Sequence, residues 1–290
     1  MPTQIPLSCG DHSFRLLEHE HALALIKMLG IDRLDLAVMS NVSHVRPEAV
    51  SADVPGWADL VRARLDAAGL ELADVFVIPG PDFATRAPNH PDPAEQAASR
   101  AMFSATLDLA DRLGAPGMTM LPGLAWEDRE ADLARSAKEL QWRAEAARER
   151  GLRFSIEPHL ESIADTPARA LALLEQAPDL ELTLDYSHFV AQGIDPEEVH
   201  PLIPRTRHLH ARGSRPGKGQ CGLRENTIDY RDLVGRLQRS GYGGHIAVEY
   251  VWTLWAEMNR CDNLSETVLL RDALRAWLAD EDWSYPDHAA

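Results

Sequence analysis

One feature constrains this chain more than any other. An amphipathic stretch of helical period ends at a glycine, a short apolar run follows at once, and the arrangement recurs. Gly30 precedes Ile31, Gly69 precedes Leu70, Gly114 precedes Ala115 and Gly151 precedes Leu152. Glycine takes the left-handed conformation after a helix at little steric cost, so these positions read as helix-stop chemistry repeated once per unit. Scattered turn glycines would not each follow a periodic apolar stretch. Ala98, Met102, Ala105, Leu109 and Leu113 step by four and three, which predicts one helix face; Leu133, Ala137, Leu140, Ala144 and Ala147 do the same before Gly151.

The apolar runs give eight strand candidates: 5–9, 33–38, 74–78, 117–121, 152–157, 181–185, 207–210 and 245–249. Strand–helix alternation forces parallel pairing, and eight units of about 25 to 40 residues close most naturally into a (β/α)8 TIM barrel. An open doubly wound sheet is the alternative. It usually announces a nucleotide site with a glycine-rich first turn, whereas the first strand here runs into Ser8-Cys9-Gly10-Asp11 without a GxGxxG pattern. No linker or low-complexity tract divides the chain, so residues 1–290 are expected to form one barrel domain.

In a barrel strand, alternate side chains point outward to the helices and inward to the axis. In the fifth strand Leu152, Phe154 and Ile156 take the outward phase, which leaves Ser155 and Glu157 inward. The sixth puts Thr183 and Asp185 inward, the seventh His208 and His210, and the eighth Ala247 and Glu249. Four consecutive strands thus end on a residue able to hold a metal, separated by 28, 25 and 39 residues. A single acidic strand end is ordinarily a helix cap or a solvated turn, and a lone inward histidine is ordinarily hydrogen-bonded core. Four in phase, at the end where barrel enzymes carry their sites, point to one centre. Three carboxylates buried together are strongly unfavourable unless a cation neutralises them. A Glu, Asp, His, Glu set offers three hard oxygens and one imidazole, which suits Mn²⁺, Mg²⁺ or Co²⁺.

Other polar groups surround these four. His159 lies two residues beyond Glu157 and His188 three beyond Asp185. The segment after His210 carries Arg212, Arg215 and Lys218, a cationic loop suited to substrate oxygens. Trp126, Trp252 and Trp255 follow the fourth and eighth strands and could stack on a sugar face. By contrast, Glu18-His19-Glu20-His21 alternates along an exposed helix start, and Asn89-His90-Pro91 reads as the turn before a helix at Pro93.

Composition narrows the partners. The chain has 29 Lys+Arg against 45 Asp+Glu, a net charge of −16, which argues against nucleic acid and anionic membrane. No apolar run approaches the roughly 18 residues a membrane span needs. The amino terminus lacks a basic region followed by an apolar one, so no secretory signal is expected. Cys9, Cys221 and Cys261 are far apart and form no CxxC pair. This excludes a disulfide scaffold and suits a reducing cytoplasm.

The strand ends Ile156-Glu157-Pro158-His159, Leu184-Asp185-Tyr186-Ser187-His188, His208-Leu209-His210 and Val248-Glu249-Tyr250 resemble the xylose-isomerase-like barrels of the sugar phosphate isomerase/epimerase superfamily. In its ketose 3-epimerases the four matching positions bind Mn²⁺ or a similar ion. The resemblance implies Glu157, Asp185, His210 and Glu249 as metal ligands, with Glu157 and Glu249 also the acid/base pair. It further implies that His188 holds substrate oxygens and that Arg215 is the nearest counterpart of the family's loop arginine. The expected reaction is sugar isomerisation or epimerisation by proton abstraction beside a carbonyl, in a homodimer by analogy. Some relatives eliminate instead, and His159 would then be a reasonable base. A non-catalytic sugar-binding barrel is the third possibility.

Overall fold

The computed structural model describes residues 5–286. Eight parallel strands close into a barrel in chain order: β1 (Leu7–Gly10), β2 (Arg33–Met39), β3 (Glu71–Ile78), β4 (Gly117–Met120), β5 (Arg153–Ile156), β6 (Glu181–Asp185), β7 (Thr206–Ala211) and β8 (Ile246–Val248). β1 pairs with β2 on one side and with β8 on the other, Leu7 against Ile246 and Cys9 against Val248, so no strand edge is left open. The helices lie between strands in sequence, except the last, which follows β8: α1 (His19–Met28), α2 (Pro47–Ala52), α3 (Val54–Ala68), α4 (Pro93–Leu113), α5 (Arg129–Arg148), α6 (Pro167–Gln176), α7 (Tyr186–Ala191), α8 (Pro196–Val199), α9 (Tyr230–Ser240) and α10 (Asn263–Leu278). Among the described residues, no helix is long and apolar enough to cross a membrane.

The expected helix stops are real. At Gly69 and Gly114, φ is 65° and 70°, and each glycine's N–H returns to the last turn of the helix before it. A side chain there would have to enter the left-handed region, which costs every residue but glycine. The α5 face is as expected, with Ala137, Leu140, Ala144 and Ala147 buried. The α4 face is turned from expectation. Of the expected row only Leu109 is fully buried, together with Ser99, Phe103, Thr106, Leu107 and Ala110, whereas Ala98, Met102, Ala105 and Leu113 are half-buried. The large ring of Phe103 sets the rotation, packing edge-on against Phe154 at 5.4 Å.

Outward-phase residues such as Val75, Met118, Phe154, Leu184, Leu209 and Val248 join the helices in one hydrophobic core. The lower interior is polar. Arg207 donates to Asp74 at 2.8 Å and to Ser155 at 2.8 Å, and Thr119 and Thr183 lie 2.6 Å apart. Arg207 gets there through a bulge: Thr206 pairs with Leu182 and His208 with Thr183, leaving Arg207 as an extra residue that turns inward beside His208. This plug closes the barrel below and leaves the site at the carboxyl ends of the strands.

Candidate metal centre and active site

Glu157 and Glu249 each follow the last residue of β5 and β8, still in the inward phase, because the regular strands stop one residue early. Both are buried, as are Asp185 and His210. His210 Nδ1 lies 2.6 Å from Glu157 Oε1 and 3.3 Å from Glu249 Oε2. These three residues form one group of potential ligands, and Glu157, Asp185 and His188 form a second that shares Glu157. Asp185 does two jobs. Its Oδ1 caps α7 by accepting the Ser187 N–H at 2.8 Å, while Oδ2 faces Arg212 Nη2 at 2.7 Å and His188 Nε2 at 3.6 Å.

The donor set fits a divalent ion. Ligand atoms about 2.1 Å from a hard octahedral cation lie roughly 3 Å from each other. The 2.6 and 3.3 Å separations around His210 Nδ1 bracket that edge. The donors are carboxylate oxygens and a single imidazole, as a hard or borderline cation prefers.

Local electrostatics divide the two glutamates. Burial pushes the Glu157 carboxyl up, and the nearby Glu249 and Asp185 add to this against the pull of His210. Burial also penalises the charged form of Glu249, but His210, His12 and Arg212 outweigh it and hold this carboxyl down at about 2. His210 is opposed by burial yet raised well above the usual range by Glu249 and Glu157.

Arg212 is not part of a solvated loop. It is buried, donates through Nε to Ser187 Oγ at 2.9 Å, and reaches Asp185 and Glu249 at 2.7 and 3.3 Å. It thereby supplies a permanent positive charge between two strand ends. Its Nη2 also lies 3.0 Å from His188 Nε2. Arginine can only donate, so Nε2 accepts and the His188 proton sits on Nδ1. Burial and the charge of Arg212 keep His188 neutral. His159 is also buried, which lowers its pKa to about 4, and neither ring nitrogen has a hydrogen-bond partner among the described residues.

A cavity of about 110 Å³ opens over these groups. Its polar lining is His12, Glu157, His159, His188, Arg212, Glu249 and Thr253, and Trp255 stands at its rim. The other expected contacts fall outside it. Arg215 is half-buried and paired with Glu225 at 3.0 Å. Trp126 donates to Asn89 at 3.3 Å, in the loops beside β3 and β4. Trp252 lies under Arg15 at 5.7 Å.

Sequence reasoning missed His12. It sits in a short 3₁₀ turn (Asp11–Phe14) directly after β1, with Nε2 3.1 Å from Glu249 Oε1. Gly10 makes room for it, since a Cβ there would meet the His12 ring at 2.6 Å. Burial disfavours the charged ring, yet Asp11 and Glu249 raise it to about 9. The available signal was a histidine two residues beyond the first strand, much as His159 stands three residues beyond the fifth. His19 also departs from expectation. Glu18, Glu20 and His21 are exposed, but His19 is buried, stacked on His44 at 4.7 Å and 3.1 Å from Asp11.

The fold and the inward carboxylates together define a TIM barrel with a polar centre at its catalytic end. Residues 23–278 match the family described as xylose isomerase-like TIM barrel, and the chain belongs to that family. Among solved structures it is similar to D-psicose 3-epimerase from Clostridium cellulolyticum H10, solved with D-tagatose (16% identity, TM-score 0.72, covering 94% of this chain and 99% of that one). It is also similar to a xylose isomerase-like TIM barrel protein from Mycobacterium smegmatis in complex with magnesium (16%, 0.73, 95% and 97%). A third is a probable 3-DHS dehydratase from Bacillus anthracis involved in petrobactin synthesis (13%, 0.66, 92% and 99%). At these identities the likeness is one of fold. No curated protein matches the sequence.

Proposed function

We propose that this protein is a divalent-metal-dependent sugar isomerase or epimerase that abstracts a proton from the carbon beside a carbonyl. The observation that carries this reading is the convergence of Glu157, His210 and Glu249, with ligand atoms all within 4.8 Å of one another, beneath an open cavity. Glu157, Asp185, His210 and Glu249 would hold the ion, with Mn²⁺ first and Mg²⁺ or Co²⁺ as substitutes. When bound, such an ion supplies a Lewis acid that polarises the carbonyl and stabilises the enediolate.

The chain's own residues do the rest. Glu157 and Glu249 come from strands three apart in the ring and serve as the acid/base pair, one removing a proton and the other returning it. His188, with its proton on Nδ1, donates to a substrate oxygen, and His159 offers two unpartnered nitrogens to neighbouring hydroxyls. Arg212 holds Asp185 and Glu249 in place and adds positive charge where the enediolate develops. The substrate is a small carbohydrate or sugar derivative, as the similar epimerase supports.

A lyase on the same centre is the second reading. It is favoured by His159, a neutral buried imidazole two residues beyond Glu157 and free to accept a proton, and by the similar dehydratase. The two separate in one experiment. The protein, loaded with Mn²⁺ in D₂O, is incubated with ketoses, inosose-like polyols, 3-keto sugars and 3-keto glycosides and followed by proton NMR. Isomerisation or epimerisation shows deuterium entering beside the carbonyl with no group lost, whereas a lyase releases a second product. A sugar that binds equally well to parent and Glu249→Gln, with exchange in neither, would make the protein a binding barrel.

A further inference from the structure

The ring of side chains at the barrel mouth changes character halfway round. β5 to β8 and the turn after β1 deliver carboxylates and histidines. β2 and β3 end in Met39 and Ile78, and Leu121 follows β4. Ala37, Met39, Phe76 and Leu121 form a small hydrophobic cluster separate from the main core, with Val42, Ile78 and Phe83 packed on it. These are inward positions at the catalytic end. Apart from Ala37, all of them line the same cavity as Glu157 and Glu249. Phe83 ties the apolar wall to the polar one, with its ring 4.9 Å from His159 and edge-on to Trp255 at 5.3 Å.

A free ketose carries a hydroxyl on every carbon but the carbonyl. Pressed against the Met39–Phe76–Leu121 wall, such a hydroxyl loses its water and gains no partner. An apolar substituent there gains what the hydroxyl loses. We propose that the substrate is two-ended. Its hydroxylated carbonyl end meets Glu157, Glu249 and the two histidines, and an apolar substituent lies on the opposite wall and leaves past Phe83. A keto sugar carrying an apolar aglycone has this character. The inference rests on the sugar-directed reading above and adds the class of substrate to it.

The test is a calorimetric titration of the full chain with two unreactive probes, phenyl β-D-glucopyranoside and methyl β-D-glucopyranoside. The phenyl probe binds about tenfold more tightly than the methyl probe, from the apolar area it covers. The preference falls to about twofold in Phe83→Ala, on a half-buried loop position that the fold tolerates, and in Met39→Gln. Equal affinities, no measurable binding of either probe, or a preference unchanged in both variants would overturn the proposal. Deuterium exchange on the 3-oxo forms of the same two glucosides separates it from the parent reading. Exchange in both with equal KM removes the apolar substituent and leaves proton abstraction standing. Exchange in neither, with phenyl preference intact, removes the proton-abstraction reading and this inference with it.

Discussion

The two halves of the barrel mouth are built from the same kind of strand end and do opposite things. On the half formed by β5 to β8, inward positions carry charge, and each charged group is held by another: His210 by Glu157, Asp185 by Arg212, Glu249 by His12. On the half formed by β2 to β4, the equivalent positions are Met39, Phe76 and Leu121, which need no partner. The polar half is expensive to build, because every charge removed from water has to be compensated in place. The apolar half costs nothing of the kind. Retaining the expensive half at the mouth, where no packing requires it, supports the proposal of proton transfer and cation binding there.

Substitutions that respect this division should affect chemistry on one side and binding on the other. The largest effect is expected from Glu249→Gln, which keeps shape and removes the proton acceptor. Turnover in the deuterium-exchange assay falls by about a thousandfold, as loss of a general base does. A loss below tenfold would make Glu249 a structural residue. Next comes Arg212→Met. It leaves Asp185 and Glu249 buried without their fixed cation and lowers stability by about 3 kcal/mol. Chemical denaturation measures this, and Mn²⁺ should recover more stability in the variant than in the parent. Unchanged stability would mean that the ion pairs contribute nothing.

On the other half, Leu121→Ala costs about 2 kcal/mol of stability from the lost packing. KM rises for an apolar-substituted substrate and kcat stays within about twofold. A collapse of kcat with KM unchanged would break the division between the halves. The smallest effect tests a position outside both. Burial, with His208 adding to it, lowers the pKa of His245, just before β8, to about 4. In the unfolded chain this imidazole titrates near 6.5, so between those values the unfolded state binds the extra proton. Its contribution to stability is complete above pH 6.5 and declines as pH falls toward 4. His245→Asn should therefore flatten the acid side of a stability–pH curve without altering turnover at pH 7.

Much of the polar half was legible in the sequence, because strand alternation fixes phase. Leu182 and Leu184 outward leave Thr183 and Asp185 inward, and the same logic reached Glu157, His210 and Glu249. Phase stops at the strand end, however. It could not tell that Arg212 folds back to meet Asp185, 27 positions earlier, while Arg215 turns to the rim and pairs with Glu225. Nor could it bring His12, near one end of the chain, to Glu249 near the other, a contact made by ring closure between the adjacent strands β1 and β8. The apolar half escaped notice for a different reason. Met39 and Phe76 are what any core strand carries, and only the closed ring reveals that they face a cavity. The turned face of α4 shows a further limit: of the periodic row only Leu109 is fully buried, and the neighbouring face that carries the large ring of Phe103 is buried with it.

The account depends most on one divalent ion being held by the carboxylates and the imidazole of the polar half. Titration of Mn²⁺ into metal-stripped protein, followed by electron paramagnetic resonance of the free ion, measures this directly. The prediction is one equivalent bound per chain, with binding lost in Glu157→Gln/Glu249→Gln while circular dichroism shows the fold intact. Equal binding by parent and double variant, or none by a correctly folded parent, would contradict it.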